Sequence, residues 1–131
     1  MKEPKKKKVI GKIILVIIYD YVIRNVLVRI LRANGNTVIT CSAGFDGIRK
    51  FEKGKGKFDL VIIDIPLPGI GSLSLAKKIK KINKRTSIIL IKGRDQKVDR
   101  KEGKEIGLDL VLSKPLYIDK TVYFVNDFAQ L

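Results

Sequence analysis

The chain has 131 residues, with 28 lysines and arginines against 13 aspartates and glutamates, a formal net charge of +15. That length suits one compact domain, and a hydrophobic share of 45% beside 31% charged residues supplies a real core and argues against wholesale disorder. Histidine is absent and Cys41 is the single cysteine, which excludes His-based triads and general bases, Cys/His zinc sites, a phosphohistidine on this chain and an intrachain disulfide.

Met1–Lys8 (MKEPKKKK) reads as a basic flexible tail, and 9–131 as one domain. The tail resembles the front of a signal peptide, but Gly11 and Lys12 break the apolar run that follows, and Tyr19-Asp20-Tyr21 offers no small-residue cleavage site. The unbroken stretch Ile13–Ile18 is far too short to span a bilayer. These features predict a cytoplasmic protein with no membrane partner.

Ile13–Ile18 is instead the first of five Ile- and Val-rich runs, followed by Thr37–Cys41, Leu60–Ile65, Ser87–Ile91 and Leu110–Leu112. None alternates with polar residues, as expected of strands buried on both faces. Between the first two, Val22, Ile23, Val26, Leu27, Ile30 and Leu31 form one helical stripe, which ends near Ala33-Asn34-Gly35 and is capped by Asp20. Ile48 and Phe51 mark a second helix, and Leu73, Leu75, Ala76, Ile79 and Ile82 a third. The segment Gln96–Ile106 is a poorer helix, with Gly103 inside it at a cost of about 1 kcal/mol relative to alanine. Ile118, Val122, Val125 and Phe128 predict a final helix.

Alternating strands and helices predict an α/β fold with a doubly wound, five-stranded parallel sheet. Ligands of such sheets bind beyond the carboxyl ends of the strands. Those ends carry Ile18-Tyr19-Asp20, Asp64-Ile65-Pro66, Lys92-Gly93 and Ser113-Lys114-Pro115, so one carboxylate and two lysines are expected to converge. No Walker loop, G-x-G-x-x-G or G-x-S-x-G motif is present, and no acid–base pair is visible, so no enzymatic activity is expected.

Val22-Ile23-Arg24, Ala33-Asn34-Gly35, Phe58–Asp64, Pro68-Gly69 and Ser113-Lys114-Pro115 fall at the spacing of one family. From about Lys12 to Leu131 the chain resembles the receiver domain of two-component response regulators. The resemblance implies a flavodoxin-like (βα)5 fold of strand order 2-1-3-4-5. It also implies that Asp64 accepts a phosphoryl group from a partner's phosphohistidine, with Lys114 contacting that group and Pro115 following a cis peptide bond.

Several positions depart from the family pattern. Two acids that would hold Mg²⁺ at the end of the first strand are replaced by Ile18 and Tyr19, with Asp20 one place beyond. The Ser or Thr switch position is Lys92, followed by Gly93, the aromatic switch position is Val111, and the acid after Pro-Gly-x is Gly71. A family pocket with three carboxylates and a lysine is formally −2, whereas Asp64, Lys92 and Lys114 sum to +1. No metal or other cofactor is expected there. An ammonium about 4 Å from Asp64 is worth roughly 4 kcal/mol at an effective dielectric of 20, before desolvation. Lys92 is therefore expected to pair with Asp64 in place of the metal.

Each position has a plainer reading. Asp20 is a helix cap unless the first strand slips in register and turns it into a metal acid. Asp64 is either a structural acid or a working acceptor, and Lys92 either pairs inward or turns to solvent. Tyr19 plugs the space left by the acids, Cys41 is a strand residue without redox duty, and Tyr117 and Tyr123 serve packing. Lys77, Lys78, Lys80, Lys81, Lys84 and Arg85 form a basic patch, a solvated helix face that either neutralises phosphates or only keeps the domain soluble.

The first functional reading is an atypical pseudo-receiver in phosphorelay signalling, impaired in Mg²⁺-dependent phosphorylation. The family resemblance implies a partner surface from about Asp95 to Phe128, through which it would bind a histidine kinase or downstream effector. One alternative is an active phosphoacceptor; the other, from a different class, is a basic nucleic-acid or acidic-protein binding module.

Overall fold

A computed structural model describes residues 11–115. The basic tail, Tyr117, Tyr123 and the helix expected around Ile118–Phe128 lie outside these residues. Five strands follow in chain order with intervening helices: β1 Ile13–Ile17, α1 Tyr21–Ala33, β2 Thr37–Cys41, α2 Gly44–Lys53, β3 Leu60–Asp64, α3 Ser72–Ile82, β4 Ser87–Lys92, α4 Arg100–Ile106 and β5 Leu110–Ser113. All strand pairs are parallel, in the order β2-β1-β3-β4-β5.

The unalternated apolar runs are explained by burial on two sides. Ile14, Val16, Leu60, Ile62, Ile89 and Ile91 pack against Leu27, Val28 and Leu31 of α1. Their strand neighbours Leu15, Ile17, Val61, Ile63, Ile88 and Leu90 face Phe51 of α2, Leu75 and Ile79 of α3 and Ile106 of α4. Consecutive side chains of a strand point to opposite faces, so both must be apolar when helices cover both. Helix α2 lies so close to the sheet that a Cβ on Gly47 would stand 2.5 Å from Ile17 Cδ1.

Polar side chains fasten the strand edges. Asp59 Oδ2 accepts the Ile13 N–H at 2.8 Å, and Asp109 Oδ2 accepts the Ile88 N–H at 2.7 Å. The fourth helix is shorter than its sequence segment. It begins after Asp99, which caps Lys101 N–H at 2.8 Å. Gln96 instead closes a turn, its Oε1 accepting the Gly93 N–H at 2.8 Å and its own N–H donating to the Gly93 carbonyl at 3.1 Å. Among the described residues no helix is long and apolar enough to cross a membrane.

Candidate functional site

The carboxyl ends of β1, β3, β4 and β5 meet around Asp64, the last residue of β3 and only 1% exposed. Its backbone carbonyl accepts a 2.6 Å hydrogen bond from the buried Ser72 hydroxyl at the start of α3, which fixes the β3–α3 loop to the strand end. Lys114 Nζ stands 2.9 Å from Asp64 Oδ1. The contact is an ion pair, and Oδ1 accepts no hydrogen bond among the described residues. Asp64 Oδ2 faces the Asp20 backbone N–H at 3.5 Å, a weak contact.

Backbone geometry delivers Lys114 to this point. Lys92 pairs with Ser113 in the β4–β5 ladder, and the Lys114 N–H then donates to the Lys92 carbonyl at 2.8 Å. The Lys114–Pro115 peptide bond is cis.

Lys92 itself requires a correction. Its ammonium does not pair with Asp64 but donates to the Gln96 carbonyl at 3.0 Å, within the turn that Gln96 closes. A free carbonyl within reach of a flexible stem takes the lysine away from the carboxylate, and Lys114 makes the ion pair in its place. The local charge is then Asp64 plus Lys114, a formal zero, instead of +1.

At the acid-pair positions, Ile18 is fully buried and packs with the α1 face of the core, and Tyr19 is 60% exposed. Tyr19 therefore is no plug; Ile18 fills the interior while Tyr19 turns outward, as successive positions at a strand end do. Register pairs Ile17 with Ile63, so Ile18 comes level with Asp64, without slippage. Asp20 caps α1, its Oδ1 accepting the Val22 and Ile23 N–H groups at 3.0 and 3.1 Å. Arg24 holds the same turn from below, donating from Nη1 to the Ile18 and Tyr19 carbonyls at 2.7 and 3.3 Å.

The remaining candidates lie apart from this mouth. Val111 is partly buried against the α2–α4 face. Cys41 is buried at the end of β2, and desolvation pushes its thiol pKa up to about 11. Lys77, Lys78, Lys81, Lys84 and Arg85 are exposed, but Lys80 is half-buried, 3.5 Å from Asp109 Oδ2 and donating to the Thr86 carbonyl at 2.7 Å. Ser72, Arg24 and Gln96 were not legible as site residues, because their partners are backbone atoms remote from any sequence pattern.

A parallel sheet of this order, with a buried aspartate ending its central strand and a lysine just past its last, is the receiver architecture. The response regulator receiver domain matches residues 14–126, and the chain belongs to that family. It is 31% identical over 103 residues to the transcriptional regulatory protein AfsQ1 of Streptomyces coelicolor, covering 79% of this chain and 44% of the relative. It is 29% identical over 107 residues to the uncharacterized transcriptional regulatory protein YkoG of Bacillus subtilis, covering 82% of this chain and 46% of that one. The chain thus spans less than half the length of these relatives.

Among solved structures, a response regulator receiver domain protein from Clostridium thermocellum superposes with a TM-score of 0.81 at 25% identity, covering 91% of this chain and 94% of that one. The chemotaxis response regulator CheY4 of Vibrio cholerae gives 0.79 at 21% identity, over 90% and 98%, a likeness of fold.

Proposed function

We propose that this receiver domain is a signalling module in which phosphorylation at Asp64 is impaired, and that it works by binding a protein partner rather than as an enzyme. The observation carrying this reading is the donor set around Asp64. Mg²⁺ is held by one or two carboxylates with its waters. Here Asp64 is paired with Lys114 at 2.9 Å, and Asp20 is engaged through Oδ1 in capping α1. Ile18 and Tyr19 contribute no acid. No group of three or more His, Cys, Asp or Glu side chains suited to a metal occurs among the described residues. The residues present do not fit a magnesium site.

One feature favours a second reading, an active acceptor: among the described residues Asp64 Oδ1 accepts no hydrogen bond, and it has a cation beside it. The partner under either reading would be a histidine kinase or a downstream effector. Intact-mass measurement after incubation with Mg²⁺ and a small phosphodonor separates the two. An unchanged mass is expected; a stoichiometric phosphoryl gain that disappears in Asp64→Asn would overturn the impaired reading.

A further inference from the structure

The helices run antiparallel to the strands, so α3 and α4 end at the edge of the sheet opposite Asp64. There Lys77, Lys80, Lys81, Lys84, Glu105, Ile106 and Gly107 line a groove of about 400 Å³. Four lysines against Glu105 leave this lining at a formal +3. Lys80 is committed to Asp109 and to the Thr86 carbonyl, and its aliphatic stem lies across Gly107, which a Cβ would bring to 3.3 Å from Lys80 Cε. Lys77, Lys81 and Lys84 are exposed and make no ion pair with an acid among the described residues. Lys77 and Lys81 stand one turn apart on α3, and Lys84 follows directly after the Asn83 cap.

From this arrangement we infer a phosphate-backbone site for double-stranded nucleic acid in the α3–α4 groove, separate from the Asp64 mouth. The lining discriminates among polyanions. It has no aromatic side chain, so it offers no platform on which unpaired bases could stack. Its single large apolar residue is Ile106, itself buried, so a protein partner finds no apolar anchor. What remains is the Lys77, Lys81 and Lys84 ammonium groups, in no ion pair among the described residues, on a concave surface that suits the dense, regular charge of a duplex backbone. Such contacts position the partner without reading sequence. The net charge of +15 steers the approach.

The test is a fluorescence-anisotropy titration of a labelled mixed-sequence duplex at rising salt, using the full chain. Three phosphate contacts predict a contribution of about −2.7 to the slope of log K against log salt, or about 40-fold in affinity between 50 and 200 mM. The variant Lys77→Gln/Lys81→Gln/Lys84→Gln should lose that contribution. A charge-matched control, Lys53→Gln/Lys57→Gln/Lys97→Gln, should keep the wild-type slope; both retain the basic tail. Equal losses in the two variants would reduce the effect to overall charge and overturn the site. Absence of duplex binding by the unaltered chain at low salt would overturn it too, as would displacement of the duplex by poly-glutamate of matched charge at equal concentration.

Discussion

Lys114 and Asp64 form an ion pair of unequal exposure: the lysine side chain is 24% accessible, the aspartate 2%, with 2.9 Å between Nζ and Oδ1. A charge taken out of water this far must be compensated nearby, and among the described residues Lys114 is the ion-pair partner of Asp64. Because the lysine keeps contact with solvent, the pair is less costly to form than a fully buried one.

Removing the cation alone should therefore hurt more than removing both charges. Lys114→Met is expected to lower stability by about 2 kcal/mol, short of the roughly 3–5 kcal/mol of a broken fully buried pair. The double variant Lys114→Met/Asp64→Asn should recover most of the loss. Urea unfolding at neutral pH of Lys114→Met, Asp64→Asn and the double variant gives the double-mutant cycle; a double variant that costs the sum of the two singles would deny the coupling.

Asp20 can be tested as a cap. Asp20→Ala leaves the Val22 and Ile23 N–H groups unpartnered and should cost about 1 kcal/mol. Asp20→Asn retains an acceptor oxygen and should cost far less. If the two substitutions cost the same in urea unfolding, the side chain's charge, and not its cap hydrogen bonds, is what matters.

Restoring acids at the end of β1 should create metal dependence. Ile18 is fully buried, so Ile18→Asp/Tyr19→Asp should lose a few kcal/mol without metal, for lost packing and a desolvated charge. Adding Mg²⁺ should then raise its melting temperature with concentration, by ligand linkage, while the unaltered chain stays flat. A rising melting temperature in the unaltered chain would mean that Asp64 already recruits the ion.

The contact between α2 and β1 makes a packing prediction. Gly47→Ala places a methyl 2.5 Å from Ile17 Cδ1 and should destabilise by about 1–3 kcal/mol. Ile17→Val removes that methyl, so in the Gly47→Ala background it should cost less than it does alone. Additive losses on thermal unfolding would place the clash elsewhere.

Burial raises the Cys41 thiol to about 11, against the opposing pull of the Lys50 and Arg24 cations. A raised folded value favours the protonated form, so this stabilisation is complete below the ordinary thiol range near ~8.5 and is lost as pH rises toward 11. Unfolding midpoints at pH 8 and pH 10.5 should lie closer together in Cys41→Val than in the unaltered chain, once the common lysine titration is subtracted. Alkylation of the native thiol at pH 8 should be slow and should follow unfolding.

Strand and helix positions were readable because burial on both faces writes itself into local composition: the Thr37–Cys41 run is β2 residue for residue, and the others shift only at their ends. Asp64, Lys114 and the cap at Asp20 were readable from spacing along the chain, since backbone geometry alone carries each to its place. The partner of Asp64 was not. Lys92 ends β4 and Lys114 follows the end of β5 beside it, and both carry the same charge on the same flexible stem. Which of them turns inward was decided by the Gln96 carbonyl, a backbone acceptor placed by a turn that leaves no residue signature. The same holds for Tyr19, whose outward direction follows from the pleat, and for the α3–α4 groove, where Asp109 draws Lys80 aside while its neighbours make no ion pair among the described residues. Sequence determined which groups this protein owns and along which elements they lie. Tertiary structure alone decided which charges meet, because a long side chain chooses among acceptors only after the fold has brought them within reach.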